Sequence, residues 1–250
     1  MSAYDILAKY YDLLMQDIDY EKMADYFLAL MKRHGLVPKE LLDVACGTGS
    51  LSMAFAKKGL DVVGADASER MLAGAFPKAS EFPDKRLLFI LQSMEDLDLF
   101  GTVDAAVCTL DGVNHLLNPQ SLQRAFARVS LFLNKKGLFL FDVNTPYKFR
   151  TTLGNNTFVY DYDEVYCVWQ NSFDEQRKIC DFDLTFFEPE GSLFRRYEEH
   201  FSERVYADEE IKEALVQAGL NPLACYASWT LDHPDRTTQR VVYVAQKQES

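Results

Sequence analysis

The hydrophobic and polar positions of this chain change period several times, and each change marks an element. Between residues 4 and 34, Ile6, Leu7, Tyr10, Tyr11, Leu13 and Leu14 share one helical face and Met23, Tyr26, Phe27, Leu30 and Met31 another, with a break near Asp17 to Asp19. Glu40 to Ala45 is a short apolar run between Pro38 and a cluster of glycines, the pattern of a strand buried on both faces of a parallel sheet. Ser50 to Lys58 returns to helical period and stops at Gly59. The alternation then repeats: strand Asp61 to Ala65, helix Ser68 to Ser80, strands Arg86 to Gln92 and Val103 to Thr109, helix Gln120 to Leu133, a turn at Asn134 to Gly137, and strand Gly137 to Asn144. Strand and helix in turn predict βαβ units and a doubly wound, mostly parallel α/β sheet.

Beyond residue 155 the period shortens to two. Phe158 to Tyr160, Val165 to Trp169, Ile179 to Phe187 and Phe194 to Phe201 are aromatic-rich runs with brief polar turns between them, which predicts a small antiparallel sheet. A helix at Asp208 to Ala218 and strands at Pro222 to Trp229 and Arg240 to Gln246 rejoin the first pattern. The expected organisation is an α/β ligand-binding domain, 1–154 and 205–250, with residues 155–204 inserted as a β subdomain on the acceptor side and the N-terminal helices, 1–34, as a lid.

Composition narrows the functional classes. With 250 residues, 48% of them hydrophobic, the chain can bury a full core. A formal charge of -12 repels polyanions, so nucleic acid and anionic membranes are poor partners. No apolar run approaches the length of a membrane span, and residues 1–20 have no signal-like apolar region, so a cytoplasmic location is expected. Five separated cysteines without a Cys-x-x-Cys pair, and four isolated histidines, predict neither a disulfide framework nor a metal site.

The most informative stretch is Asp43-Val44-Ala45-Cys46-Gly47-Thr48-Gly49-Ser50. Glycines where a buried strand passes into a helix let the backbone turn at positive φ and let a ligand approach the helix N-terminus. Asp66 ends the next strand, 19 residues past Gly47, where its carboxylate reaches the same crevice and accepts bonds from ribose hydroxyls. Loop and acid together specify an adenosine-type ligand. The dinucleotide pattern Gly-x-Gly-x-x-Gly is incomplete, because Ser52 stands at its third place, and Asp43 would repel a pyrophosphate but suits a cationic amino acid.

With these residues in view, the chain resembles the class I S-adenosylmethionine-dependent methyltransferases. Asp43 to Gly49 is similar to the family's glycine motif, with Ala45 in place of its commoner first glycine; Gly64-Ala65-Asp66-Ala67-Ser68 followed by Met71-Leu72 is similar to its second motif; Phe139-Leu140-Phe141-Asp142 resembles its fifth strand. The resemblance implies a Rossmann-like fold and S-adenosylmethionine as cofactor. It places Gly47 and Gly49 under the methionine end, with Asp43, Ala45, Cys46 and Thr48 beside them, Asp66 on the ribose, and Ala67 and Met71 against the adenine. Ser93 and Met94 stand where the family often has an acid near the adenine amine. An N-terminal tyrosine motif, Tyr4, Tyr10-Tyr11-Asp12 and Tyr20, is also shared, and by it Tyr11 approaches the cofactor carboxylate and the acceptor.

In an open α/β sheet the segment after the fourth strand, Cys108 to Leu117, faces the transferred methyl. Thr109 and Asp111 are therefore expected at the cofactor, and Asn114 and His115 at the acceptor, with His115 the general base for a hydroxyl. The expected function is methyl transfer to a nitrogen or oxygen of a small molecule. A module that binds the cofactor without turnover, and a NAD-dependent oxidoreductase, are the alternatives.

Overall fold

The computed structural model describes residues 5–80, 82 and 87–248. Tyr4 and the Arg86 start of the expected third strand lie outside them. Two helices open the chain, α1 (Asp5–Leu14) and α2 (Tyr20–Arg33), the second capped by the Asp19 carboxylate on the Lys22 N–H. Then come β1 (Glu40–Val44), α3 (Ser50–Lys57), β2 (Asp61–Asp66), α4 (Glu69–Ala79), β3 (Leu87–Leu91), β4 (Val103–Cys108), α5 (Pro119–Phe132) and β5 (Leu133–Asn144). Between β3 and β4 one short 3₁₀ turn, Met94–Asp96, stands where a full crossover helix would lie.

After α6 (Pro146–Lys148) the strands β6 (Thr157–Asp161), β7 (Tyr166–Asp174), β8 (Ile179–Glu190) and β9 (Leu193–Arg204) pair in sequence order as a separate antiparallel sheet. Helix α7 (Asp208–Gln217) leads back to β10 (Leu220–Ala227) and β11 (Arg240–Lys247). The main sheet has the order β10-β11-β5-β4-β1-β2-β3, with β11 antiparallel to both neighbours and the strands from β5 to β3 parallel.

This is a doubly wound α/β fold. The chain moves outward from β1 through β2 to β3, then returns to β4 on the other flank, so the crossovers diverge between β1 and β4 and leave a crevice at their carboxyl ends. Four of the five β1 residues and the last eight of β5 are buried, as strands covered on both faces must be. One layer carries α2 and α3, where Phe27, Leu30, Met31 and Phe55 pack on Leu41, Val107 and Leu140. The other carries α5 and α7 over Phe139, Phe141 and Tyr243. Of the two helices expected to form a lid, α2 belongs to the core, and α1 packs on the small sheet through Leu7, Tyr10 and Leu14.

The turn expected at Asn134 to Gly137 is instead an irregularity inside β5. Lys136 takes φ +62, the register against β4 shifts between Val103 and Ala105, and a Cβ on Gly137 would lie 2.8 Å from the Asn134 carbonyl oxygen.

Gly49 caps α3 at φ +75, and a Cβ there would meet the Phe89 ring at 2.5 Å. Gly49→Ala therefore combines left-handed strain with overpacking and should destabilise the protein by about 2 to 4 kcal/mol. Thermal unfolding should show the midpoint lowered by about 5 to 10 °C, and a shift below about 1 °C would contradict this account.

Candidate active site

A cavity of about 260 Å³ opens at the carboxyl ends of β1, β2 and β4. Its floor is the loop from β1 into α3. Ala45 and Gly47 both adopt positive φ, +55 and +56, so the chain turns sharply there and the Gly47 backbone stays bare, with Tyr11 the nearest side chain to the space a Cβ would fill, 3.9 Å away. Ala45 thus adopts the conformation that a glycine would accept without strain.

Asp66 holds this floor in place. Its Oδ2 accepts from the Gly47 N–H at 2.8 Å and its Oδ1 from the Ser68 N–H at 2.8 Å, so one carboxylate joins the first crossover to the second. Burial raises its pKa, and those N–H groups work the other way. A carboxylate has room for further donors, so Asp66 remains able to accept hydroxyls on its cavity side. Asp43 lies deeper and accepts from the Ser52 hydroxyl at 2.5 Å. Burial pushes its carboxyl up to about 7; the Ser52 bond opposes this and the Asp66 charge adds to it.

The roof is α1. The Thr48 hydroxyl donates to Asp12 Oδ1 at 2.6 Å, and Lys78 pairs with the same carboxylate while donating to Ser50 Oγ at 3.0 Å. At the other end of the helix, Glu199 Oε2 on β9 accepts from the N–H groups of Ile6 and Leu7 at 3.0 and 2.8 Å, capping α1 from the small sheet. Tyr11 from this roof and Tyr20, the first residue of α2, line the cavity, where burial raises both phenols, Tyr20 to about 12. Ala67 and Met71 after β2 and Ser93 and Met94 after β3 also line the cavity.

The far end belongs to the segment after β4. Thr109, Leu110, Gly112, His115 and Leu116 line the cavity. The His115 ring sits 5.5 Å from that of Phe201 on β9, and burial lowers its pKa against the pull of the Asp111 charge, which keeps the imidazole neutral near pH 7. Leu110 and Asp111 stand at φ +55 and +72, each conformation costing about 1 to 2 kcal/mol.

Three of the residues expected here lie elsewhere. Gly49 is packed beneath Phe89. The Asp111 carboxylate turns away, with Arg240 Nη2 2.5 Å from its Oδ1 in charge contact but out of line for a hydrogen bond. Asn114 is fully buried, its amide donating to the Arg204 carbonyl at 2.9 Å and its oxygen accepting from the Asn144 N–H at 2.9 Å, which leaves no polar atom for an acceptor. The other expected residues meet in the cavity: Tyr11, Asp43, Ala45, Cys46, Gly47, Thr48, Asp66, Ala67, Met71, Ser93, Met94, Thr109 and His115. Burial holds the Cys46 thiol well above its ordinary pKa, so it is no nucleophile. Leu51, Leu110, Gly112 and Leu116 line the same space without any mark in the sequence that sets them apart from core residues.

Residues 41–137 match the sequence family described as a methyltransferase domain. A protein of Geobacillus sp. (strain WCH70) whose name is that of a methyltransferase is 32% identical over 98% of this chain and 100% of its own. The crystal structure of an S-adenosylmethionine-dependent methyltransferase from Clostridium acetobutylicum superimposes with a TM-score of 0.86 at 30% identity, covering 96% of both chains.

The chain belongs to the class I S-adenosylmethionine-dependent methyltransferases. It is an enzyme whose cofactor is S-adenosylmethionine, and neither the binding module nor the oxidoreductase is favoured. A glycine/sarcosine N-methyltransferase of Parasynechococcus marenigrum is 34% identical over 49% of this chain and 43% of its own. The residues lining the methyltransferase cavity fit the cofactor by their chemistry: bare backbone at Gly47, carboxylates at Asp66 and Asp43, and thioethers at Met71 and Met94. None of the helices among the described residues is long and apolar enough to cross a membrane.

The raised Asp43 pKa has a definite sign. The folded methyltransferase holds a proton that the unfolded chain has lost above pH 3.8, so this carboxyl's contribution is fully present below pH 3.8 and falls as pH rises towards 7. Asp43→Asn, which still accepts from Ser52, should flatten that part of the stability profile by an amount on the order of 2 to 4 kcal/mol. Denaturant unfolding between pH 4 and 8 measures it, and parallel profiles for the two proteins would exclude a raised Asp43.

Proposed function

We propose that this methyltransferase methylates a nitrogen or oxygen of a small molecule, which enters between α1, the small sheet and the segment after β4. The observation that carries the proposal is one continuous cavity with the glycine loop and Asp66 at one end and a neutral histidine, His115, at the other. When bound, the cofactor supplies a methyl group already activated on a sulfonium. The protein's tasks are then alignment and exclusion of water, without a covalent nucleophile.

In this reading Gly47 and Thr48 hold the amino-acid end, Asp43 balances its ammonium, Asp66 takes the ribose, and Ala67, Met71, Ser93 and Met94 enclose the adenine. Tyr11 closes the roof and orients the acceptor. His115 accepts the proton that an acceptor hydroxyl or ammonium must lose, a role for which a neutral imidazole is suited. The aromatic contact between His115 and Phe201 supports an acceptor space backed by the small sheet. A small acceptor is supported by the size of the cavity, about 260 Å³, by the formal charge of -12 and by the relative named for glycine and sarcosine.

S-adenosylhomocysteine at 100-fold excess over its dissociation constant should stabilise the protein by roughly 2.7 kcal/mol and raise the unfolding midpoint by about 5 to 10 °C. NAD should give no shift, and Asp66→Ala should abolish the shift with S-adenosylhomocysteine. A response to NAD alone would overturn the cofactor site. In a screen of small amines and alcohols with labelled S-adenosylmethionine, His115→Gln should lower kcat about 100-fold or more for the acceptor found. Turnover unchanged in that variant would remove His115 from the chemistry.

A further inference from the structure

Leu110 and Asp111 are consecutive residues with side chains in the left-handed region, at the point where the chain leaves β4 to line the acceptor end of the cavity. Two successive N–H groups in such a conformation converge and form a small concavity that attracts an anion. Here an internal carboxylate fills it. Asp142 on β5 accepts from the Leu110 N–H through Oδ2 at 3.0 Å and from the Asp111 N–H through Oδ1 at 3.2 Å. Arg240, the first residue of β11, donates to Asp142 through Nη1 and sets Nη2 beside the Asp111 carboxylate, so its planar fork spans both acids.

The placement is costly as a source of stability. Asp142 is 1% exposed, and a buried ion pair gains little over apolar packing of the same volume. The structure rewards it differently. Held from β5, the segment doubles back so tightly that a Cβ on Gly112 would meet Cys108 Sγ at 2.5 Å and Ala45 at 3.2 Å. That turn carries Leu110, Gly112 and His115 into the cavity. Asn114 fixes its far end, through the Asn144 N–H and the Arg204 carbonyl.

We propose that Asp142 and Arg240 are positioning residues for methyl transfer, which hold the segment 109–116 in its strained, cavity-facing form and so set where His115 meets the acceptor. This rests on the reading that His115 serves the acceptor, but its first test needs no acceptor. Amide hydrogen exchange read by mass spectrometry on the full-length chain compares wild type, Asp142→Asn and Arg240→Lys.

Asp142→Asn keeps the volume and loses one acceptor and the charge. Exchange in 109–116 should quicken about tenfold while 41–49 and α2 change by less than about twofold. Arg240→Lys, whose ammonium reaches one carboxylate at a time, should give a smaller increase in the same segment and serves if the first variant does not fold. Unchanged exchange in 109–116, or a uniform rise across the main sheet, overturns the proposal. If His115→Gln leaves turnover intact while 109–116 loosens as expected, the general-base reading fails and the clamp on the segment stands.

Discussion

The site depends first on a single carboxylate that serves two crossovers. Asp66 takes the N–H of Gly47 from the loop after β1 and that of Ser68 from the loop after β2, so the two loops that form the cavity floor cannot move independently. Parallel strands end with their loops on the same edge, and that edge is where backbone groups are left over from the sheet. An acid at the tip of β2 satisfies two of those groups and leaves its remaining lone pairs towards the cavity. The positive φ values of Ala45 and Gly47 follow from the same geometry, since the loop must turn within a few residues to stay on that carboxylate.

Closure over this floor comes from the small sheet. Alternation along β9 sets Glu199, Phe201 and Glu203 on one buried face, and each meets a different part of the site. Glu199 caps α1, Phe201 backs the His115 ring, and Glu203 accepts from the Asn144 amide at 3.4 Å near the end of β5. The antiparallel sheet therefore fastens α1, the His115 segment and the central sheet through residues two apart on one strand. Its aromatic core, with Phe182 stacked 4.9 Å from Phe201 and Trp169 edge-on at 5.9 Å, gives that strand a rigid support.

Electrostatically the site is an acid-lined space in an acidic protein. Asp43, Asp66, Asp111 and Asp142 stand within one region, and burial raises Asp43, Asp66 and Asp142 above the usual carboxylate range. Arg240 offsets the pair furthest from the glycine loop. What remains at the loop itself is two acids, Asp43 and Asp66, next to bare backbone, whose charged forms a cation placed beside them would favour.

The sequence alone determined the architecture and the glycine-loop end of the cavity, because both are written in short-range patterns. Period and punctuation placed the strands and helices to within a few residues, and Asp43, Gly47 and Asp66 lie one crossover apart, so local rules sufficed to bring them together. The opposite end, at the segment after β4, was different. Asp111 and Asn114 stood beside His115 in the chain and had the right chemistry, yet Asp111 turns to Arg240 and Asn114 to the Arg204 carbonyl and the Asn144 N–H, while Leu110 and His115 line the cavity. Arg240 is 98 residues from Asp142 and carries no local signal, while Gly49 carried a strong one that the packing of Phe89 redirected from ligand to core. Which side of a strained turn each residue faces is set by partners on other strands, and only the tertiary structure decided it.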